Sequence, residues 1–441
     1  MIYEVEISAA KIENNIDGRL IGENCLIRGI SIDSRDKSFS PWCFFAIKGK
    51  KYNGADFIEE AISNGAKLVI AQEKISSNVP VIYVDDTVKA LGMLARKEKG
   101  KAKIIGVTGS FGKTTVKDMI ISVLSERYSV CGTKENQNNE IGVALTLLSI
   151  KSEAFCVVEM GMRAQGEIDW LSYLCEPDTA VITGIGTSHI GLLGSKEAIF
   201  SAKTEILKHT KKYAVVPFER EFFQLSYPKI DFCFIGKDIT SLNKNLENNC
   251  ICFDINGQNV YGVNSIFLHD VTNALFAYSV GKIYGLTDDE IRFGLLKSTK
   301  SKLRGEIINL NGIEILCDCY NASLESIRSA LVSANEYCKS KQKRLVAMLG
   351  DVLELGDDAC KIHMEIGVAC RENSVKKLFA YGENAKYVCQ GFGGGEVIKS
   401  FADIPKILLK ALNNGDLLLV KASRGLNFEK IIEKMRENNK C

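Results

Sequence analysis

The decapeptide Gly106-Val-Thr-Gly-Ser-Phe-Gly-Lys-Thr-Thr115 constrains this chain more than any other stretch. It lies between an apolar run, Lys103 to Val107, and a segment in which Val116, Met119, Ile120, Val123 and Leu124 recur at three- and four-residue steps. Apolar residues at that spacing share one face of a helix, so the expected unit is strand, glycine-rich turn, helix. Gly109 and Gly112, on either side of Ser110, let the backbone bend until successive N–H groups and the positive helix end point into one concavity. Such a concavity suits the polyphosphate of ATP. Lys113 would reach the terminal phosphates, and the hydroxyl of Thr114, with Thr115 beside it, would ligate magnesium. The strict phosphate-loop pattern asks for glycine where this chain has Val107, so the loop is a variant.

At 441 residues the chain is too long for one ordinary core, and about three domains are expected. Its 56 basic and 54 acidic residues leave a formal charge of +2, which supplies no strong field for nucleic acid or a membrane surface. Glu4 and Glu6 stand where an export signal would be basic and then apolar, and no run approaches the roughly 18 apolar residues of a membrane span. A cytoplasmic protein without membrane insertion is expected. Fifteen cysteines are scattered without a C-x-x-C pair, and they read as reduced, mostly buried small hydrophobes.

Residues 1–100 alternate strand-like runs (26–32, 43–47, 68–70, 81–84) with helical stretches near 55–64 and 87–98, the pattern of a small α/β domain. Arg96 to Lys103 is so charged that it reads as a solvated linker. Residues 101–303 repeat a β-α rhythm, which implies a mostly parallel sheet whose ligands gather at the carboxyl ends of its strands. Three polar stretches stand at such ends. Lys134 to Gly142, with Asn138 and Asn139, is rich enough in amides to bind an anionic, sugar-bearing ligand. Glu159 closes a buried-strand run where a further magnesium contact is needed, and His189 follows another strand. Taken alone, His189 could equally be a satisfied loop histidine, and Lys203, on a helix from about 195 to 209, an ordinary solvated lysine. Lys297 to Arg304 reads as a second boundary. Residues 304–441 alternate strands (314–317, 344–349, 377–381, 417–421) with helices, a Rossmann-like domain without a dinucleotide fingerprint. Gly391 to Gly395 reads there as a loop.

In order along the chain, DSR near the start, TGSFGKTT, NNEIG, VVEMG, the His189 loop with AKTEI, HDVTNA, Arg304, DCYNA, LGDVLELG and VKASR resemble the Mur ligase family, and its MurF branch in particular. The resemblance covers nearly the whole chain. It implies an N-terminal domain holding the UDP moiety, a central ATPase and a C-terminal domain that brings the amine. By that likeness Lys113 binds phosphate, Thr114 and Glu159 ligate one magnesium ion, and His189 helps hold a second. Lys203 matches a lysine that many relatives carry as a carbamate supporting that metal. Asn273 matches an adenine contact, and Arg304 and Asp318 match interdomain residues that engage ATP. Ser34, Arg35, Asn138 and Asn139 match regions around the UDP-sugar peptide, and Asn321, Lys421 and Ser423 are expected with the substrate. Lys113, His189 and Lys203 are the residues expected to carry catalysis.

The reaction implied is activation of a UDP-linked peptide carboxylate by ATP, followed by attack of an amino acid or dipeptide amine, by an enzyme expected to be a monomer. Relatives commonly have Asp and His where this chain has Asn53 and Ala55, proline at Ala144 and Leu324, and glycine at Ala422. A MurE-like or archaeal pseudomurein ligase with another substrate therefore stays open. So does a phosphate-loop regulatory ATPase that makes no bond, although a switch has no need of a second metal site.

Overall fold

The computed structural model describes residues 2–37, 40–49, 52–247, 249–299 and 303–438. Part of the expected second boundary, residues 300–302, lies outside the described residues.

Three six-stranded sheets follow one another along the chain, with one small antiparallel sheet inserted. In the first, Leu26–Ser31, Trp42–Phe45, Ala66–Ala71 and Val81–Tyr83 are parallel neighbours, and Tyr3–Ser8 and Arg19–Ile21 close the two edges antiparallel. The second is parallel throughout, in the order Asp231–Ile235, Tyr213–Pro217, Thr179–Ile182, Lys103–Thr108, Phe155–Glu159, Val130–Gly132. The third sets an antiparallel hairpin, Glu306–Leu310 and Ile313–Cys317, beside four parallel strands, Leu417–Lys421, Leu345–Gly350, Lys377–Tyr381 and Glu396–Val397. The molecule is thus the α/β, three-domain architecture expected. Strands covered on both faces are apolar along most of their length, and the runs Phe155–Glu159, Leu345–Gly350 and Leu417–Lys421 are buried from end to end, the charged Glu159 and Lys421 at their ends included.

The β-α rhythm conceals one departure. Ser241–Glu247, Cys250–Ile255 and Gln258–Val263 form a three-stranded antiparallel sheet after the last central strand. Alternating burial in Cys250–Ile255 shows why: one face packs against the phosphate-loop helix Lys113–Leu124 and the helix His269–Ile283, and the other is wet.

Arg96 to Lys103 is not a solvated linker. The helix Thr87–Glu98 runs through Arg96, and Asp86 caps its start by accepting from the N–H groups of Val88 and Lys89. Arg96 pairs with Glu176 at 2.9 Å and stacks on Tyr173, while Lys99 donates to the carbonyl of Cys175 at 2.8 Å and pairs with Glu176 at 3.2 Å. Two cations thus meet the carboxylate and the carbonyl ends of one neighbouring helix, Glu167–Cys175, a favourable placement for positive charge. Gly391 and Phe392 end the helix Ala385–Phe392 and only Gly393 to Gly395 are loop. Every described cysteine is a free thiol, and only half of them are buried.

The first two modules share one core. Leu91, Leu94 and Ala95 join Ile30 and Phe45 of the first sheet, and Leu145, Leu171 and Leu174 of the second module's helices, in one buried cluster. The third module has two clusters, one on each face of its sheet, and Ile266 and Phe267 of the central module join one of them. Leu91→Ala should therefore cost about 2–5 kcal/mol in a transition that unfolds 2–99 and 103–297 together. In urea with hydrogen exchange read by mass spectrometry, both segments should lose protection together while 345–349 keeps its own midpoint.

Candidate active site

Strand order reverses at Lys103–Thr108, which has Phe155–Glu159 on one side and Thr179–Ile182 on the other. Chains leaving the carboxyl ends of such neighbours diverge and open a crevice. A cavity of about 1080 Å³ occupies that position, roofed by the third module.

The phosphate loop forms its floor. Gly109 has φ of +148°, and a Cβ there would lie 2.1 Å from the Thr183 hydroxyl; Gly112, at φ +76°, precedes the helix Lys113–Leu124 and packs beneath Asn273. Only glycine fits either place without displacement. Lys113 folds back to donate to the Gly109 carbonyl at 2.7 Å, and burial lowers the pKa of its ammonium. The Ser110 hydroxyl is buried and, among the described residues, has no hydrogen-bond partner. Thr115 also lines the cavity.

Parallel register sets Val107 opposite Glu159, so the loop and this carboxylate leave the sheet side by side. The Thr114 hydroxyl donates to Glu159 Oε2 at 2.8 Å, and Asn138 Nδ2 donates to Oε1 at 2.8 Å. Asn138 therefore orients Glu159. Asn139, though on the cavity wall, caps the helix Glu140–Leu148 by accepting from Gly142 N.

Lys203 ends the helix Lys196–Thr204 and is 1% exposed, which reverses the ordinary expectation of a solvated lysine. Among the described residues its ammonium forms no ion pair or hydrogen bond, and burial with Lys113 nearby pushes its pKa well down. His189, at φ +67°, gives Nδ1 to Glu354 Oε2 at 2.6 Å. Burial lowers its pKa against the opposing pull of Glu354. With Nδ1 as donor, Nε2 keeps its lone pair for the cavity.

The third module supplies the roof. Arg304 Nη2 donates to the Thr114 hydroxyl at 2.9 Å, its guanidinium lies 3.9 Å over the Tyr320 ring, and its buried Nε has no partner among the described residues. Asp318 is held by Lys421 Nζ at 2.6 Å, which also donates to the Asn321 carbonyl at 3.1 Å. Asn273 donates to Asp270 at 2.9 Å beside His269, whose ring stacks on Phe267.

Four expected residues stand off the lining. Gly109 lies behind the loop, and Ser423 turns away to accept from Leu353 N at 3.0 Å. In the first module, Ser34 donates to Glu60 and Arg35 pairs with Asp33 at 2.8 Å. Sequence reading missed Tyr320, His269 and Glu325 on the wall. Tyr320 and His269 sit inside motifs already singled out; Glu325 stands just past one, and nothing in its neighbours marks it.

The donor set fits a magnesium nucleotide. A hydroxyl and a carboxylate 2.8 Å apart are hard oxygen donors, and Ser110, Arg304 and Lys113 line the same cavity. Among the described residues no group of three His, Cys, Asp or Glu side chains forms a ready-made cation cage. Magnesium commonly takes only one or two protein ligands and completes its shell with phosphates and water.

Comparison with known proteins agrees with this arrangement. The model described as Mur ligase middle domain matches residues 107–280, that described as Mur ligase, glutamate ligase domain matches 303–424, and that described as Mur ligase family, catalytic domain matches 26–99. The UDP-N-acetylmuramoyl-tripeptide–D-alanyl-D-alanine ligase of Bacillus subtilis is 34% identical over 94% of each chain, and that of Haemophilus influenzae 30% over 99% of this chain and 100% of the relative. A crystal structure of MurF from Acinetobacter baumannii superposes with a TM-score of 0.90 at 27% identity, covering 99% of this chain and 100% of that one. MurF from Thermotoga maritima in complex with ADP gives 0.84 at 26%, covering 93% and 97%. With three family models matched in order and near-complete coverage in sequence and structure, the chain belongs to the Mur ligase family.

Proposed function

We propose that this chain is an ATP-dependent ligase that joins the carboxylate of a UDP-linked muramoyl tripeptide to D-alanyl-D-alanine, in peptidoglycan synthesis. The observation that carries this reading is 34% identity over 94% of both chains with the Bacillus subtilis ligase of that name, joined to a cavity in which the ATP-handling residues converge. Among the described residues no helix is long and apolar enough to cross a membrane. We place the enzyme in the cytoplasm, acting as a monomer.

A carboxylate resists an amine because its leaving group would be oxide. Transfer of the ATP γ-phosphoryl group makes an acyl phosphate, and the amine then displaces phosphate. Both steps gather negative charge, and fixed donors that need no rearrangement stabilise it most. Lys113, the Ser110 hydroxyl and the loop N–H groups hold the phosphates from below, while Arg304 reaches them from above. Thr114 and Glu159 would hold one magnesium ion, and His189 with Lys203 a second. Bound there, the metals would offset phosphate charge. Lys203 would support that second site as a carbamate, formed when its amine, kept neutral by burial and by Lys113, adds carbon dioxide at Nζ and releases a proton. Asn138 fixes the rotamer of Glu159. Asn273 faces the adenine, Asp318 with Arg304 engages the ATP, Ser34 and Arg35 lie on the UDP side, and Asn321 and Lys421 line the acceptor side. Closure of the third module excludes water from an intermediate that hydrolyses easily.

Phosphate release measured with a panel of UDP-muramoyl peptides against amino acids and D-alanyl-D-alanine tests the assignment. Release should need both the tripeptide and the dipeptide. Release with a different pair reassigns the substrate, and release indifferent to both makes the chain a switch. Lys113→Ala should lower kcat/KM by about 10³-fold or more, read as ligation product per ATP. Lys203→Ala should lower turnover by a factor on the order of 10² and recover part of it in millimolar short-chain carboxylic acid; full activity without the acid would remove its metal-supporting role.

A further inference from the structure

The loop that carries His189 leaves Thr179–Ile182 and is fastened from two directions. On its inner side Thr183 donates to the Phe111 carbonyl and Ser188 Oγ donates to the Ser110 carbonyl at 3.2 Å, so it follows the phosphate loop. On its outer side its polar partners among the described residues belong to the third module. Thr187 N and Thr187 Oγ1 donate to the two oxygens of Glu325 at 2.9 and 3.0 Å, His189 Nδ1 meets Glu354, and Gly191 N donates to the Glu354 carbonyl at 3.1 Å. The approach is close enough to need glycine: a Cβ on Gly186 would lie 2.9 Å from Glu325 Cδ, and one on Gly191 2.4 Å from Gly356 N.

Glu325 also heads a stripe. On the helix Leu324–Lys341 the residues at steps of four, Glu325, Ser329 and Ser333, share one face. All three bond across to the central module, to Thr187, to His269 Nδ1 at 2.8 Å and to Leu268 N at 3.0 Å. One helix face thus grips the loop at the phosphate end and the segment at the other end of the nucleotide cleft. His189 itself holds a left-handed backbone, uncommon for residues other than glycine though histidine adopts it more readily than most, with neighbours fastened on both sides.

We propose that Glu325, assisted by Glu354, is a positioning residue that holds the Thr183–His189 loop in its working shape, so that the loop carrying His189 is complete only while the third module is docked. The consequence for turnover rests on the ligase reading above; the consequence for loop order does not. Phosphoryl transfer would then wait for the module that brings the amine, which limits idle loss of ATP.

Hydrogen exchange of the full-length protein, followed by steady-state kinetics, tests this. Glu325→Ala should speed exchange at residues 185–191 by on the order of tenfold while 104–108 and 345–349 exchange as in the parent. It should lower kcat by about tenfold with little change in KM for the UDP-peptide. Glu325→Gln, which keeps one acceptor oxygen, should fall between, and Thr187→Val in the Glu325→Ala background should add little. Unchanged exchange at 185–191 in Glu325→Ala, or faster exchange there with an unchanged kcat, would overturn the proposal. If Glu325→Ala does not fold, the Gln and Thr187→Val variants decide on the same two readouts. A parent protein that ligates no substrate would sink the ligase reading alone, because the exchange measurement needs no substrate.

Discussion

Parallel pairing of Lys103–Thr108 with Phe155–Glu159, Val107 opposite Glu159, brings a glycine-rich turn and a carboxylate out of the sheet at one level. That register lets the Thr114 hydroxyl stand 2.8 Å from Glu159. A slip of one residue would turn Glu159 to the other face and leave the loop with no acidic partner. Asn138, Arg304 and Lys113 are all placed relative to this pair, so the chemistry of the cavity descends from a strand alignment that the apolar residues of the core hold fixed.

Charges of both signs line the cavity around that pair. Glu159 and Asp318 are engaged by Thr114 and Lys421, and Glu325 by Thr187, whereas the buried Lys203 has no ion pair or hydrogen bond among the described residues. Burying unpaired positive charge is costly, and Lys203 shows the strain as a pKa pushed well down. That leaves a place on the cavity wall where an anionic group would be stabilised.

Much of this was legible in residues alone because it is local. The phosphate loop announces itself through spacing, and Lys377–Tyr381 and Leu417–Lys421 begin and end where their apolar runs do. Glu159 could be read as a strand-end carboxylate, since a buried run must stop where a charge begins. Other features depend on what folding brings near. Arg96 and Lys99 look like linker residues until Glu176, some 80 positions away, is placed beside them. Lys203 sits in a helix of mixed polarity, and only the packing of Ile199, Ala202 and Ile206 around it shows that it is buried. Asn138 was legible as a site residue, but its partner was not. Glu325 was invisible: no spacing within one module can disclose a bond made when two modules meet.

The two seams between modules differ in kind. Leu91, Leu145 and Leu174 weld the first pair through continuous oily surface. The second combines hydrogen bonds, Arg304 to Thr114, Glu325 to Thr187, Ser333 to Leu268, with an oily contact through Ile266 and Phe267. Water can replace such bonds one at a time, but it cannot wet a weld cheaply. The seam beside the cavity is therefore the softer of the two.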